Sequence, residues 1–372
     1  MKTTKLKVVQ VAALMLLAGG ANAQSSLTLG SPQSNVTLFG VIDVNATSSS
    51  PGAKVGGDNL IVMNDGSVNG LNGTRWGLRL QKDLGGDIKA GAMLESGFNI
   101  DNGTSGQGGR LFGRQAYISI ASLGIGELRA GRQTILSDAL LAQAAPFGAN
   151  TVTNSGIGFT NMGKNIPLWI DAPRADNVVQ YQTPVAGGLT AAVQYAPGEN
   201  LTDTFQGVRV QYAKAPFNAG VTYESNTARV GGDATNKILS LVANYDFGTF
   251  KLMGGVQQSR DLTTTSGNGA AVSVSNLVVA GPTTFTMKDA RVFTVGAEVP
   301  IGALNLLGLN YTTSTYESAT GASSNVGRLA LTVRRNLMEN TFVYGGLSVA
   351  TGDLQDYVSQ KNVVQIGLRT SF

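Results

Sequence analysis

The stretch that decides the fold class is the C-terminal end of the chain, Val363-Val364-Gln365-Ile366-Gly367-Leu368-Arg369-Thr370-Ser371-Phe372. Apolar side chains at Val364, Ile366 and Leu368 alternate with polar or small ones, which is typical of a β-strand with one apolar and one polar face. The stretch also has the roughly 9–11 residues that a tilted strand needs to cross a bilayer. Because it ends on an aromatic residue, Phe372, we interpret it as the closing strand of an outer-membrane β-barrel, paired with the first strand.

The N-terminus has the features of a secretory signal peptide. Three lysines precede an apolar stretch at Val8–Leu17, and Ala21-Asn22-Ala23 forms a small-residue cleavage site. The apolar stretch is shorter than the about 20 residues of a membrane-spanning helix, and no cysteine follows it for a lipid anchor. We therefore expect a signal peptide at 1–23 and a β-barrel domain at 24–372.

The composition argues against several classes of function. The chain has 27 Lys and Arg against 23 Asp and Glu, and three of the lysines lie in the signal peptide, which leaves 24 against 23, or +1. A charge so near zero gives no indication of nucleic-acid binding. The chain has no Cys and no His, so a Ser-His-Asp triad is impossible. We expect no cofactor, and only an incidental Ca²⁺ among loop carboxylates stays open.

Sixteen alternating segments follow one another from about Val36 to Phe372, without a linker-like break. Their connections alternate between short turns and longer loops, as in a closed barrel with short periplasmic turns. Closure is required because every backbone N–H and C=O needs an internal partner in hydrocarbon. We therefore predict an all-β fold, a 16-stranded antiparallel transmembrane β-barrel, which is wide enough for an aqueous channel.

One outer connection, about residues 133–175, is far longer than the others. It is too apolar to suggest disorder, and Ala139–Ala145 could form a short helical turn. One interpretation is an extracellular loop. The interpretation that we favour is a loop folded into the lumen, where it narrows the pore, because long ordered loops are usually functional.

Several short motifs resemble the trimeric general porins of Gram-negative bacteria, most closely their β-proteobacterial branch. The motifs that carry the resemblance are Asn35-Val36-Thr37-Leu38-Phe39-Gly40, Gly73-Thr74-Arg75-Trp76-Gly77-Leu78, Asp83-Leu84-Gly85-Gly86, Leu94-Glu95-Ser96-Gly97-Phe98, Phe112-Gly113-Arg114-Gln115-Ala116-Tyr117 and Gly131-Arg132-Gln133. They cover about residues 35–133, and the terminal Phe372 matches the residue that the barrel-assembly machinery is understood to read as an assembly signal. The resemblance implies a homotrimer among outer-membrane lipids and lipopolysaccharide, with passive diffusion of small solutes.

The resemblance also implies a constriction formed by the third loop. By likeness, Arg75, Arg114 and Arg174 match its basic wall, and Glu95 matches an acidic residue of the lumen. The family's loop usually reads Pro-Glu-Phe-Gly. Here Pro146-Phe147-Gly148 lacks the acid.

Strand parity tests these assignments independently. Asp43, Arg75, Glu95 and Arg129 fall on the polar faces of their segments. Arg114 shares its parity with apolar residues, so either a β-bulge shifts the register or its side chain points elsewhere.

Two more arginines are assigned by their position along the chain. Arg132 lies where its strand leads into the long loop, and we include it in the basic wall. Arg369 joins the lumen wall, but too near the periplasmic mouth for the constriction. For any single arginine of the wall, the alternative role is an ion pair with Asp43, Glu95 or Glu127 that only braces the barrel.

These residues predict a porin that prefers small anions. The long loop adds Lys164 and Arg174 against Asp138 and Asp171, so it brings no excess of acid. A substrate-specific channel is the alternative, and it would need a continuous aromatic slide or eighteen strands. An outer-membrane hydrolase is a remote alternative, because no catalytic motif is visible.

Overall fold

The computed structural model describes residues 27–54, 57–148, 159–161, 164–166, 173–263, 287–353, 355–358 and 360–372. The predicted signal peptide, 1–23, lies outside the described residues, as do Asp171 and the side chain of Lys164. In the described ranges, no helix has both the length and the apolar character needed to cross a membrane.

The described residues form an antiparallel sheet that closes on itself. Sixteen strands form the barrel; β1 and β3 are two short extra strands, and β8 and β9 form a hairpin in the long loop. In chain order the strands are β1 (Leu27–Ser31), β2 (Ser34–Ser50), β3 (Leu60–Asp65), β4 (Arg75–Gly85), β5 (Ile88–Gly97), β6 (Gln115–Ser122), β7 (Gly126–Thr134), β8 (Phe159–Asn161), β9 (Lys164–Ile166), β10 (Arg174–Gln182), β11 (Leu189–Ala196), β12 (Thr204–Lys214), β13 (Phe217–Thr227), β14 (Ala234–Asp246), β15 (Lys251–Arg260), β16 (Met287–Ile301), β17 (Asn305–Ser318), β18 (Ser323–Met338), β19 (Thr341–Gly352) and β20 (Asn362–Ser371). β20 pairs with both β19 and β2, and β2 pairs with β4. The prediction of a closed 16-stranded barrel is confirmed.

The closing seam is built from two ends of the chain. β20 runs along the outer half of β2 and stops at Ser371, opposite Val41. β1 then pairs with the remaining, inner part of β2, from Leu38 to Ser34, on the same edge. The C-terminus therefore lies partway along β2, and on its other side it is level with the short turn between β18 and β19, where the Ser371 N–H donates to the Asn340 carbonyl (3.0 Å).

The alternation along the strands separates a lipid face from a lumen face. On β20, Val364 and Ile366 are largely exposed on the outside, while Gln365 and Arg369 are buried on the inside. Exposed aliphatic residues cover the outer face of every barrel strand from β10 to β20, which suits contact with lipid.

The long loop, residues 135–173 between β7 and β10, enters the lumen in its described part. Its helix α1 (Leu136–Leu141) begins three residues earlier than the predicted turn at Ala139–Ala145. Leu140, Leu141 and Ala144 are buried against wall residues that point inward. The prediction of an inward-folded loop is therefore confirmed for residues 135–148.

Glycines in the wall allow this close approach. A Cβ at Gly220 would lie 2.6 Å from Leu140 Cδ1, and one at Gly308 would lie 2.5 Å from Phe147 Cε2. Carbon atoms normally meet at about 3.5–4.0 Å, so these positions of the wall have no room for a side chain.

Candidate pore constriction

Glu95 is the centre of an arginine cluster on the lumen wall. It is buried on β5, next to Gly77 of β4. Arg114 forms an ion pair and a hydrogen bond with its carboxylate, and Arg75 Nε lies 3.9 Å from Glu95 Oε1. One carboxylate thus holds two guanidinium groups together inside the lumen.

The position of Arg114 explains why it did not fit the strand alternation. β6 begins only at Gln115, so Arg114 precedes the regular strand. Arg114 lies in the non-regular segment before β6, where its N–H donates to the Glu95 carbonyl (3.1 Å). Parity applies only within a regular strand, and here the side chain is directed by its ion pair.

Arg174 and Arg369 extend the cluster on either side. Arg174 opens β10 and lies in electrostatic range of Arg114 and Glu95. Arg369 lies in electrostatic range of Arg75, and its Nε donates to Asn72 Oδ1 (2.9 Å). Arg369 lies on the lumen wall as predicted, opposite Phe342 and near the short turn between β18 and β19, and it still reaches the electrostatic range of Arg75.

The other two predicted arginines have different partners. Arg129 faces the lumen, where its Nη2 lies 2.7 Å from Glu127 Oε2 and its guanidinium lies 5.1 Å from the Tyr117 ring centre. Arg132 donates to the Gly113 carbonyl (2.7 Å) and pairs with Asp176 (2.5 Å). Arg129 therefore has one of the ion pairs of the alternative role, as Arg114 and Arg75 have with Glu95, whereas Arg132 pairs with an acid outside that set.

Asp43 anchors a second inward loop, residues 66–74, which the sequence did not predict. Its Oδ2 accepts hydrogen bonds from the N–H groups of Leu71 (3.0 Å) and Asn72 (2.8 Å). The Tyr344 hydroxyl donates to Asp43 Oδ1 (2.5 Å). Asp43 lies in the lumen as predicted, but its carboxylate is occupied by protein donors.

The tip of the long loop meets this second loop. Phe147 packs against the cluster of Leu71, Phe342 and Tyr344. Its N–H donates to Glu298 Oε1 (2.8 Å), and its ring centre lies 5.8 Å from the Arg334 guanidinium. Phe147 also has φ 58° and is followed by Gly148 at φ 79°. A left-handed conformation is strained for a bulky residue and persists only where the surroundings hold it.

Several residues of this site were not predicted from the sequence. Glu298 supplies at the loop tip the carboxylate that the loop itself lacks. Arg334 lies over both Phe147 and Phe342. A weak signal for Arg334 existed in the run Thr332-Val333-Arg334, where its parity matches that of the inward-facing Thr332.

The charges around the opening are unbalanced. The arginines of the cluster are Arg75, Arg114, Arg174, Arg334 and Arg369, and the acids are Asp43, Glu95, Asp138 and Glu298. Asp43, Glu95 and Glu298 accept hydrogen bonds from protein groups, and Asp138 lies in electrostatic range of Arg174. Opposite charge lowers the cost for an ion of leaving water in a narrow passage, so this opening can offer donors to an anion. In the described ranges, no three Asp or Glu side chains lie close enough together to hold a metal ion.

Comparisons with known proteins agree with this architecture. A family model for Gram-negative porins matches residues 11–354. An outer membrane porin protein of Bordetella pertussis is 32% identical, over 97% of this chain and 98% of that protein. Outer membrane porin protein 32 of Delftia acidovorans is 28% identical over the same shares.

A solved structure extends the comparison. The anion-selective porin from Comamonas acidovorans superposes with a TM-score of 0.70 at 26% identity, over 91% of this chain and 100% of that one. All three of these proteins are described as porins and none as an enzyme. The chain therefore belongs to the Gram-negative porin family and is an outer-membrane β-barrel channel.

Proposed function

We propose that this porin conducts small hydrophilic solutes and prefers anions, through a constriction lined by Arg75, Arg114 and Arg174. The observation that carries the proposal is the clustering of these arginines around a single carboxylate, Glu95. The anion selectivity of the structurally similar Comamonas acidovorans porin supports it. Arg369 adds positive charge on the neighbouring wall.

The proposal is tested by the reversal potential of purified protein in planar bilayers under a potassium chloride gradient. The wild type should give a potential on the anion side, and the double variant Arg75→Gln/Arg114→Gln should move it toward cations. The effect should weaken at high salt, because the Debye length falls to about 3 Å at 1 M.

Arg291→Gln is the matched control. It removes one arginine charge, against two in the double variant, and removes it from the outer face of β16, where the side chain is 65% exposed. This control should leave the reversal potential unchanged. An unchanged potential in the double variant would refute the constriction assignment.

We also propose a homotrimer among outer-membrane lipids and lipopolysaccharide, with Phe372 as the signal to the assembly machinery. The family resemblance supports both. The signal peptide at 1–23 stays a prediction from its own residues.

A further inference from the structure

A second pair of arginines lies on the lumen wall, on strands β7 and β12. Arg129 and Arg209 line a cavity together with the side chains of Gln115, Gln133, Gln180 and Gln182. The space between these residues, counted together with the solvent to which it opens, is about 480 Å³. We call it the Arg129–Arg209 niche.

The niche lies under the root of the long loop. Residues 134–139, which include the start of α1, form its roof. β7 runs from its short turn at Gly126 to the loop at Thr134, and Arg129 lies four residues before Gln133. The arginine floor of the niche is thus on the periplasmic side of the loop root.

The niche contains buried polar atoms without protein partners. Arg209 is only 5% exposed, and its Nε has no hydrogen-bond partner. The Nε of Arg129 and the Oε1 of Gln133 also have none. Buried polar groups are normally satisfied by protein, water or ligand. The two guanidinium N–H groups are therefore unused donors, whereas Gln133 Oε1 is an unused acceptor.

The charges of the niche are incompletely compensated. Glu127 pairs with Arg129, whereas the side-chain partner of Arg209 is the neutral amide of Gln182 (3.0 Å). Glu224 lies in electrostatic range of Arg209. Its carboxylate, however, accepts hydrogen bonds from the Ser137 N–H (2.9 Å) and hydroxyl (2.6 Å). A buried guanidinium with no counter-ion hydrogen-bonded to it is costly, and a bound anion would offset that cost.

We propose that the Arg129–Arg209 niche binds a small oxyanion, of the phosphate or carboxylate type, during passage through the pore. Guanidinium groups match the geometry of such groups and donate two hydrogen bonds at once. The side-chain amide of Gln182, whose oxygen accepts from Arg209, adds N–H donors that can bind either type of anion. This inference deepens the proposed function, on which it rests because anions must reach the niche through the lumen.

The test is block of the chloride current by inorganic phosphate, with acetate as a second probe, in single channels of the purified full-length protein. Wild type should show a saturable decrease in current. Arg209→Gln should raise the half-blocking phosphate concentration by about tenfold or more, since hydrogen bonds to charged groups contribute about 1.5–3 kcal/mol. The probe that blocks at the lower concentration identifies the type of anion.

A second variant keeps the test decisive if Arg209→Gln does not fold. Gln133→Glu places a carboxylate among the arginines, where it should take the position of the anion and abolish the block. Two results would overturn the niche. One is a wild-type current whose decrease does not saturate with phosphate concentration, and the other is a variant blocked at the same phosphate concentration as the wild type. The reversal potential measured in the same channels reports on the constriction separately, so failure of the niche and failure of the anion preference are distinguishable.

Discussion

At the scale of residues, Glu95 has two effects on the constriction that oppose each other. Its carboxylate holds Arg114 and Arg75 in the lumen, and it cancels part of their charge. Its side chain is 7% exposed, so the pair with Arg114 is screened less than a surface pair. The same carboxylate therefore stabilises the wall and weakens its anion preference.

Glu95→Gln separates these two effects. We expect a reversal potential further on the anion side, because the arginines lose their counter-charge. We also expect the free energy of unfolding in detergent to fall by about 1–3 kcal/mol, because the guanidinium groups then repel each other and keep fewer acceptors. Glu339→Gln, in an exposed turn, is the control and should change neither quantity. A Glu95→Gln channel with wild-type selectivity would contradict this account.

At the scale of elements, the long loop is held to the wall by shape and by two carboxylates. Ser137 binds Glu224 on β13, and Phe147 binds Glu298 on β16. Between these anchors the loop crosses the wall over Gly220, Gly296 and Gly308. Because these glycines have no side chain, the loop can lie directly against the wall. The loop in turn narrows the lumen.

Gly308→Val tests whether the loop tip is positioned by its close contact with this glycine of the wall. A Cβ there would lie 2.5 Å from the Phe147 ring and 2.8 Å from Pro146, so the loop tip must move by about 1 Å or more to restore normal contacts. The wall is behind the tip, so the movement is toward the lumen axis, and we expect a smaller single-channel conductance. Gly345→Val is the control, since its nearest neighbour is Gln365 O at 3.4 Å. A Gly308→Val conductance equal to or larger than that of the wild type would show that this contact does not position the loop tip.

At the scale of the whole molecule, closure of the barrel depends on the C-terminus. The backbone groups of Phe372 and Gly40 bond to each other in both directions, at 2.9 and 3.1 Å. The Phe372 ring covers Gly40, where a Cβ would lie 2.3 Å from Cζ. Phe372 thus closes the sheet, a role separate from its proposed one as an assembly signal.

Phe372→Ala, refolded in detergent without the assembly machinery, tests the closing role. We expect a lower unfolding midpoint in urea, corresponding to roughly 1–3 kcal/mol for loss of a partly buried aromatic side chain. Phe293→Ala, which removes an exposed aromatic residue from the outer face of β16, should lower it less. Equal midpoints for Phe372→Ala and wild type would contradict the closing role and leave Phe372 only its proposed role as an assembly signal.

The barrel could be predicted from the sequence because the pattern that specifies each strand lies within that strand. The period of two in each strand, as in Val364-Gln365-Ile366, places every side chain on the lipid or the lumen face. For that reason the strand number and the inward positions of Asp43, Glu95 and Arg129 could be predicted. The apolar character of the long loop likewise indicated that it is packed.

The make-up of the constriction depends on closure, which brings distant parts of the chain together. Arg369 reaches the cluster of Arg75 because β20 stops partway along β2, and this register depends on the whole ring of strands. Glu298 meets Phe147 across 151 positions of sequence. Alternation gives the face on which a residue lies but not its height in the barrel, so only the tertiary structure decides which charges share the opening.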